Sequence, residues 1–364
     1  MQYAGRLRRL QQSLPDRRLD GYLVTHLPNI RYLTGFTGSA AALLLTPETV
    51  VFLTDGRYRT QAREEVRNVR ISFAKQALIP AAGAWIASVA GQKNKFRFRM
   101  GFEASHLTVA ERNRLAQACG SEIRLVPAPP LIENLRVIKD DDEVSRMRHA
   151  AVLGSRLFES LLPEIRPGVA ETDVSASLEY AARKAGAERM SFDTIIAAGP
   201  RSAPPHGRAS AALIPRSGFV VCDFGVILAG YCSDMTRTVH VGKLSSQLRG
   251  MYEAVLEAQQ AAVAAVAPGR SVAEIDAAAR KALRRRGLVR YFIHSTGHGV
   301  GLEIHEPPRL AAGQEDRLQP GMVITIEPGV YVAGKWGVRI EDMVLVTEHG
   351  CEVLTSASKD LIPL

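Results

Sequence analysis

Four carboxylates and one histidine stand in strand-like or turn-like segments of this chain: Asp223, Asp234, His298, Glu327 and Glu341. Asp223 closes the run Val220-Val221-Cys222-Asp223 before Phe224-Gly225, and Asp234 follows eleven residues later in Gly230-Tyr231-Cys232-Ser233-Asp234-Met235-Thr236. An apolar run, a glycine-marked turn and a return strand bring two such residues face to face on a hairpin. Glu327 directly follows Met322-Val323-Ile324-Thr325-Ile326, and Glu341 lies between Val338-Arg339-Ile340 and the apolar run Met343-Val344-Leu345-Val346. Carboxylates inside apolar strands are costly to bury unless a proton, a cation or a metal compensates them. Four of them meeting one neutral imidazole can be neutralised by two divalent cations, which makes this set a candidate two-metal site.

The surrounding motifs are specific. Asp223-Phe224-Gly225, Ser233-Asp234-Met235-Thr236-Arg237-Thr238, Gly297-His298-Gly299-Val300-Gly301, Ile326-Glu327-Pro328-Gly329 and Arg339-Ile340-Glu341-Asp342 resemble, in order, the signatures of the M24 metallopeptidases, in particular the proline-directed M24B branch. The match runs over roughly residues 135 to 350. It implies the creatinase or pita-bread fold, with Asp223, Asp234, His298, Glu327 and Glu341 as the metal ligands. The segments Arg31-Tyr32-Leu33-Thr34-Gly35-Phe36-Thr37-Gly38-Ser39 and Leu53-Thr54-Asp55-Gly56-Arg57-Tyr58 resemble the creatinase-type N-terminal domain of Xaa-Pro aminopeptidases and prolidases. Methionine aminopeptidases generally lack that domain.

The same resemblance assigns further residues to the site. His206, in Ala203-Pro204-Pro205-His206-Gly207, and His305, in Ile304-His305-Glu306, would bind substrate and stabilise the tetrahedral oxyanion. His294 would line the proline side, Arg339 would orient Glu341 or bind substrate, and Glu327 would serve as general base as well as ligand. The activity implied is hydrolysis of the Xaa-Pro bond at peptide N-termini, aminopeptidase P-like, with Xaa-Pro dipeptidase as the alternative. An X-Pro bond lacks an N–H and its ring fixes the local shape, so a fitted pocket selects it. A dipeptidase must in addition recognise the carboxylate that follows proline. A creatinase-like amidinohydrolase and a non-catalytic pita-bread interaction module are remoter readings, and the intact ligand set argues against both.

Carboxylate-rich donors with one imidazole favour manganese, with cobalt, iron or zinc as alternatives, whereas structural zinc sites recruit thiolates. No His-Glu-x-x-His segment and no Gly-x-Ser-x-Gly elbow occurs, so a metal-dependent route is preferred to a serine nucleophile. The glycines around His298 lack the context of a dinucleotide fingerprint. They are expected to let the backbone pass close to the metals.

These residues need two domains to carry them. A chain of 364 residues exceeds one typical core. Residues 1 to 130 alternate short apolar strands, at 21–25, 41–45, 49–53, 99–102 and 123–126, with helix-like segments near 3–14, 57–67, 82–90 and 108–118, predicting an α/β domain. Pro127-Ala128-Pro129-Pro130 then marks a junction, and residues 131 to 364 form the catalytic domain, α+β in class. Its long helix is expected to start at Asp140-Asp141-Asp142-Glu143, whose acids suit a helix N-terminus. Pro167-Gly168 followed by Ala181-Ala182-Arg183-Lys184-Ala185 is echoed by Pro268-Gly269 followed by Ala278-Ala279-Arg280-Lys281-Ala282. Each precedes a set of strands bearing two of the carboxylates, which suggests two similar halves around one site.

Hydrophobic residues make up 46% and charged residues 23% of the chain, an ordinary globular balance. A formal charge of +9 favours acidic partners non-specifically. Its densest clusters, Arg284-Arg285-Arg286 and Lys93-Asn94-Lys95-Phe96-Arg97-Phe98-Arg99, read as solvated helix ends or loops, with no specific nucleic-acid partner. Cys119, Cys222, Cys232 and Cys351 show neither metal-type spacing nor disulfide density. The polar, arginine-rich start lacks a signal-peptide core, and no apolar run spans a bilayer. A cytoplasmic homodimer acting on peptides with proline second is the expectation.

Overall fold

The computed structural model describes residues 1–92 and 97–364; the Lys93-to-Phe96 part of the basic cluster lies outside the described residues. The chain divides into two compact units, Met1–Arg136 and Val137–Leu364.

The first unit runs α1 (Tyr3–Ser13), β1 (Gly21–Val24), α2 (Leu27–Thr34), β2 (Ala41–Leu45), β3 (Val50–Thr54), α3 (Arg59–Glu65), β4 (Arg70–Phe73), α4 (Leu78–Gln92), β5 (Phe98–Glu103), α5 (Val109–Cys119), β6 (Ile123–Ala128) and α6 (Leu131–Arg136). Its six strands are ordered β4-β3-β2-β1-β5-β6, parallel except for the β1–β2 and β2–β3 pairs. Leu23, Leu44, Val51, Met100, Ile86 and Leu115 form the core between the sheet and helices α4 and α5. Pro127 lies inside β6, paired with Phe102, rather than breaking the pattern. An edge strand has a free side and tolerates a residue with no N–H to give. Helix α6, beyond the expected junction at 130, belongs to this first unit. Helix α2 and strand β4 were not expected. Leu27-Pro28 opens α2, which is only eight residues long, and Gly35, at φ +84°, closes it.

The second unit repeats one plan twice. Helices α7 (Asp141–Leu161) and α8 (Glu171–Lys184) lead through β7 (Arg189–Met190) and β8 (Ile195–Ala198) to β9 (Gly218–Phe224), β10 (Val226–Leu228), β11 (Tyr231–Cys232) and β12 (Met235–Val241). Helices α9 (Ser246–Ala265) and α10 (Val272–Arg285) lead through β13 (Gly297–Gly299) and β14 (Glu306–Leu310) to β15 (Val323–Ile326), β16 (Gly329–Val332), β17 (Trp336–Arg339), β18 (Asp342–Thr347) and β19 (Gly350–Val353). Asp140 caps α7 in a capping box with Glu143, and Ser271 caps α10 with Glu274, each pair satisfying N–H groups that a helix start leaves free. Each helix pair buries its apolar stripe on its own sheet. Phe158, Leu178, Val220 and Val239 mark the first core, and Val255, Ile275, Ile324 and Val344 the second. Arg284, Arg285 and Arg286 are exposed at the end of α10. Among the described residues no helix is long and apolar enough to cross a membrane.

A candidate two-metal centre

Asp234, Glu327 and Glu341 sit where hairpins break, and Asp223 lies inside β9 two residues before such a break. In the first half, β9 pairs with β12 and β10 with β11, and the ladder is interrupted at Gly225 and at Ser233-Asp234. In the second, β15 pairs with β18 and β16 with β17, interrupted at Glu327-Pro328 and Ile340-Glu341. Residues at such a break leave the regular up-and-down alternation, so both acids of a hairpin reach one side. The expected facing pair is therefore modified: Asp223 stands across the ladder from Thr236, not Asp234.

The two halves are joined beside the site by hydroxyls. Thr236 Oγ1 donates to Glu341 Oε2 at 2.8 Å and accepts from Arg339 Nε at 3.1 Å, while the Glu341 amide donates to the Thr236 carbonyl at 3.1 Å. Thr238 Oγ1 donates to the Arg339 carbonyl and accepts from its amide. Below this seam, Arg237 and Asp342 form a fully buried ion pair at 2.7 Å, with Lys359 and Gln259 completing the Asp342 carboxylate.

All nine polar residues expected at the site line one cleft of about 1040 Å³: His206, Asp223, Asp234, His294, His298, His305, Glu327, Arg339 and Glu341. Asp234, His298 and Glu341 each bring a donor atom within 4.8 Å of the others'. His298 Nδ1 donates to the Gly299 carbonyl at 2.9 Å, leaving Nε2 as a lone pair. That lone pair faces Asp234 Oδ2 and Glu327 Oε1, each at 3.6 Å. Three electron-rich atoms in so small a space repel unless a cation or proton lies between them. Burial, then the neighbouring carboxylates, push Asp234 and Glu341 well above the usual carboxylate range, and burial raises Glu327 to about 7. Burial holds His298 down to about 4, so its imidazole is neutral and able to ligate. Asp223 Oδ1 is buried without a partner, while Oδ2 is taken by Arg339.

Arg339 is tied to Asp223 directly and to Glu341 through the Thr236 hydroxyl. It is 3% exposed, and its guanidinium pairs with Asp223, Thr236, the Pro205 carbonyl and the Tyr331 hydroxyl; it reaches Glu341 only through Thr236. His294 Nδ1 donates to the Ser295 carbonyl and Nε2 accepts from Tyr331, and burial lowers its pKa to about 4. His206 and His305 are exposed at the cleft. The His305 ring stands edge-on to His298, centroids 4.4 Å apart, and its pKa is lowered by burial and by His206.

One reading changes. The glycines flanking His298 serve strand packing: a Cβ at Gly297 would overlap the Thr325 carbonyl oxygen, and one at Gly299 the Pro307 carbonyl oxygen. Cys222 and Cys232 are buried beside the site, their thiols pushed up to about 12 by burial, in keeping with a packing role. Sequence reasoning missed Thr236, Tyr331 and Arg309. Arg309 lines the cleft and stands directly across the β13–β14 ladder from His298. The run Glu306-Pro307-Pro308-Arg309-Leu310 carries no signal for it; the structure buries residues 306, 308 and 310 and exposes 307 and 309.

The profile of metallopeptidase family M24 matches residues 145–348, and that of the creatinase/prolidase N-terminal domain matches residues 6–138. The chain is 35% identical over 360 residues to an Xaa-Pro dipeptidase of Pyrococcus horikoshii, covering 98% of both. It is similar in structure to an Xaa-Pro dipeptidase from Bacillus anthracis, with TM-score 0.94, 40% identity and full coverage of both chains. An X-Pro aminopeptidase from Thermotoga maritima superposes with TM-score 0.88 at 32% identity, over 98% of this chain and 99% of that one. The pita-bread architecture with a creatinase-type N-terminal domain is thereby established.

Proposed function

The chain belongs to metallopeptidase family M24, and from that premise we propose that it is an Xaa-Pro dipeptidase, cleaving the bond before a C-terminal proline. The expectation had placed the aminopeptidase first. The dipeptidase names of its relatives support the reversal, and the observation that carries it is Arg309. A dipeptidase needs a positive group for the carboxylate immediately after proline, and a guanidinium is a good match for that group. Arg309 lines the cleft as the register partner of His298 on the neighbouring strand.

The donor set fits divalent metal. Four carboxylates against one buried guanidinium leave three uncompensated charges when ionised, and the neutral imidazole and the orphaned Asp223 Oδ1 offer further electron pairs. Asp223, Asp234, His298, Glu327 and Glu341 would hold two cations, manganese being the natural choice for so oxygen-rich a set. When bound, such ions polarise the scissile carbonyl and make water a nucleophile at neutral pH. Glu327, whose ordinary pKa burial shifts toward neutrality, carries the proton from water toward the leaving proline nitrogen. His206 and His305 donate to the developing oxyanion. His294, fixed as a neutral ring by Ser295 and Tyr331, shapes the proline side of the pocket. Arg339 holds Asp223 in its ligand orientation instead of contacting substrate. A homodimer in a reducing compartment, the cytoplasm, completes the proposal; the buried free thiols suit that address.

A second reading, Xaa-Pro aminopeptidase, draws support from the Thermotoga maritima likeness. Mass spectrometry of products from matched Xaa-Pro, Xaa-Pro-Yaa and Xaa-Pro pentapeptide substrates separates the two. Preferential cleavage of the dipeptide is expected; efficient release of the first residue from the longer peptides would establish the aminopeptidase instead.

A further inference from the structure

The repeated Ala-Ala-Arg-Lys-Ala segment has a use that the metal site does not account for. In each half its arginine leaves the second helix and donates to carbonyls of the segment that follows. Arg183 of α8 donates to the Ala187 and Glu188 carbonyls. Arg280 of α10 donates to the Phe292 carbonyl at 3.1 Å and to the His294 carbonyl at 2.7 Å. Only the second of these targets carries a histidine of the cleft.

Arg280 is also locked by an acid on its own helix. Asp276, one turn earlier and 1% exposed, accepts from Arg280 Nε at 2.8 Å through one oxygen and from Thr296 Oγ1 at 2.7 Å through the other. The guanidinium lies over the Phe292 ring, 4.3 Å from its centroid. The Thr296 carbonyl in turn accepts the Glu327 amide at 2.8 Å. Residues 292 to 296 have no regular ladder of their own apart from the Thr296 amide, which donates to Leu310. Two carbonyls and one hydroxyl of this five-residue segment are instead bound to a single ion pair on a helix, its aspartate buried and its arginine half-buried. A group held by several convergent hydrogen bonds keeps its orientation, and misplacement of a binding group by about 1 Å is felt in turnover.

Resting on the peptidase reading above, we propose that Asp276 and Arg280 are positioning residues for substrate binding: the pair fixes the His294 backbone from α10, so that the imidazole presents one face to the proline ring. Neither residue touches the cleft, and the effect reaches substrate only through His294.

The test compares Arg280→Met, Arg280→Lys and Asp276→Asn in the manganese-loaded enzyme. Arg280 is a quarter exposed on a helix, so its replacement leaves the helix core in place, and the lysine variant, with one donor retained, covers the case in which methionine disrupts folding. For Arg280→Met we expect KM for an Xaa-Pro dipeptide to rise on the order of 10- to 100-fold, the scale of outer supporting contacts, with kcat and metal content near wild type and Arg280→Lys in between. In ¹⁵N-edited spectra the Nδ1 proton of His294, held on the Ser295 carbonyl, should be slow to exchange in wild type and fast in Arg280→Met and Asp276→Asn. Unchanged exchange and unchanged KM in folded variants overturn the proposal, as does a parallel fall of kcat, affinity and metal content. The exchange measurement needs no substrate. If wild type fails to cleave Xaa-Pro dipeptides while the His294 proton still responds to Arg280, the functional reading has failed and the positioning role stands.

Discussion

Arg309 and His298 face each other as register partners across the β13–β14 ladder. Side chains directly opposite on neighbouring strands lie on one face with Cβ atoms roughly 5 Å apart, so a free guanidinium and a candidate metal ligand share one wall of the cleft. This separation is short enough for one dipeptide to engage both, its carboxylate on Arg309 and its scissile carbonyl beside His298.

Replacing that guanidinium should therefore hurt substrates with a free proline carboxylate and spare those without one. For Arg309→Met, kcat/KM on an Xaa-Pro dipeptide is expected to fall by about 10- to 100-fold, corresponding to roughly 1.5–3 kcal/mol for a charged hydrogen bond. The matched dipeptide amide should change little. Steady-state kinetics on the pair decides it, and equal losses on both substrates would remove Arg309 from carboxylate recognition.

Metal dependence follows from the clustered donors of Asp234, His298 and Glu341. Chelation should abolish hydrolysis, and added Mn²⁺ or Co²⁺ should restore it. Asp234→Asn and Glu341→Gln keep the side-chain volume while removing a charge, so each should fold yet bind fewer ions by elemental analysis. Full turnover by metal-free protein contradicts the two-metal centre.

The raised carboxylates also fix a pH dependence. With Glu327 near 7 and Asp234 and Glu341 above their ordinary range, the metal-free folded protein holds protons that the unfolded chain has released. Its stability must then fall as pH rises through about 7. His294 and His298, held down near 4, act in the opposite sense, but only below about pH 6.5, the ordinary histidine value. Melting temperatures of chelated protein from about pH 6.5 to about pH 8 isolate the carboxylates. They should decline, while Mn²⁺ affinity climbs across the same window as protons are displaced. A melting temperature that stays flat across that window in chelated protein would show that these acids are already ionised.

His206→Ala and His305→Ala should each lower kcat by on the order of 10²-fold, the cost of losing an oxyanion donor, with metal content unchanged. Both side chains are exposed at the cleft, so calorimetric stability should stay close to wild type. A folded variant turning over at the wild-type rate relegates that histidine to a structural part.

How much of this was legible in the chain depends on what each residue's neighbours are. Asp223, Asp234, His298, Glu327 and Glu341 could be singled out because acids inside apolar strands contradict their own surroundings, and the helix starts at Asp140 and Ser271 because capping is a matter of residues three apart. The two-half plan showed in the Pro-Gly and Ala-Ala-Arg-Lys-Ala repeats for the same local reason. Strand β4 and the in-strand Pro127 escaped, since edge strands are permitted a composition that central ones are not. Glu341 and Asp342 are adjacent and alike in sequence. Only the fold decides that Glu341 enters the cleft while Asp342 is buried against Arg237 and Lys359, because Glu341 lies at the ladder break before β18 and the direction of each side chain there is set by what packs around it. The partner of Arg339 was settled the same way. The sequence determined which charges had to be compensated; the tertiary structure decided which charge each one meets, since Asp223, Thr236 and Arg339 are neighbours only after two hairpins more than 100 residues apart have been seamed together.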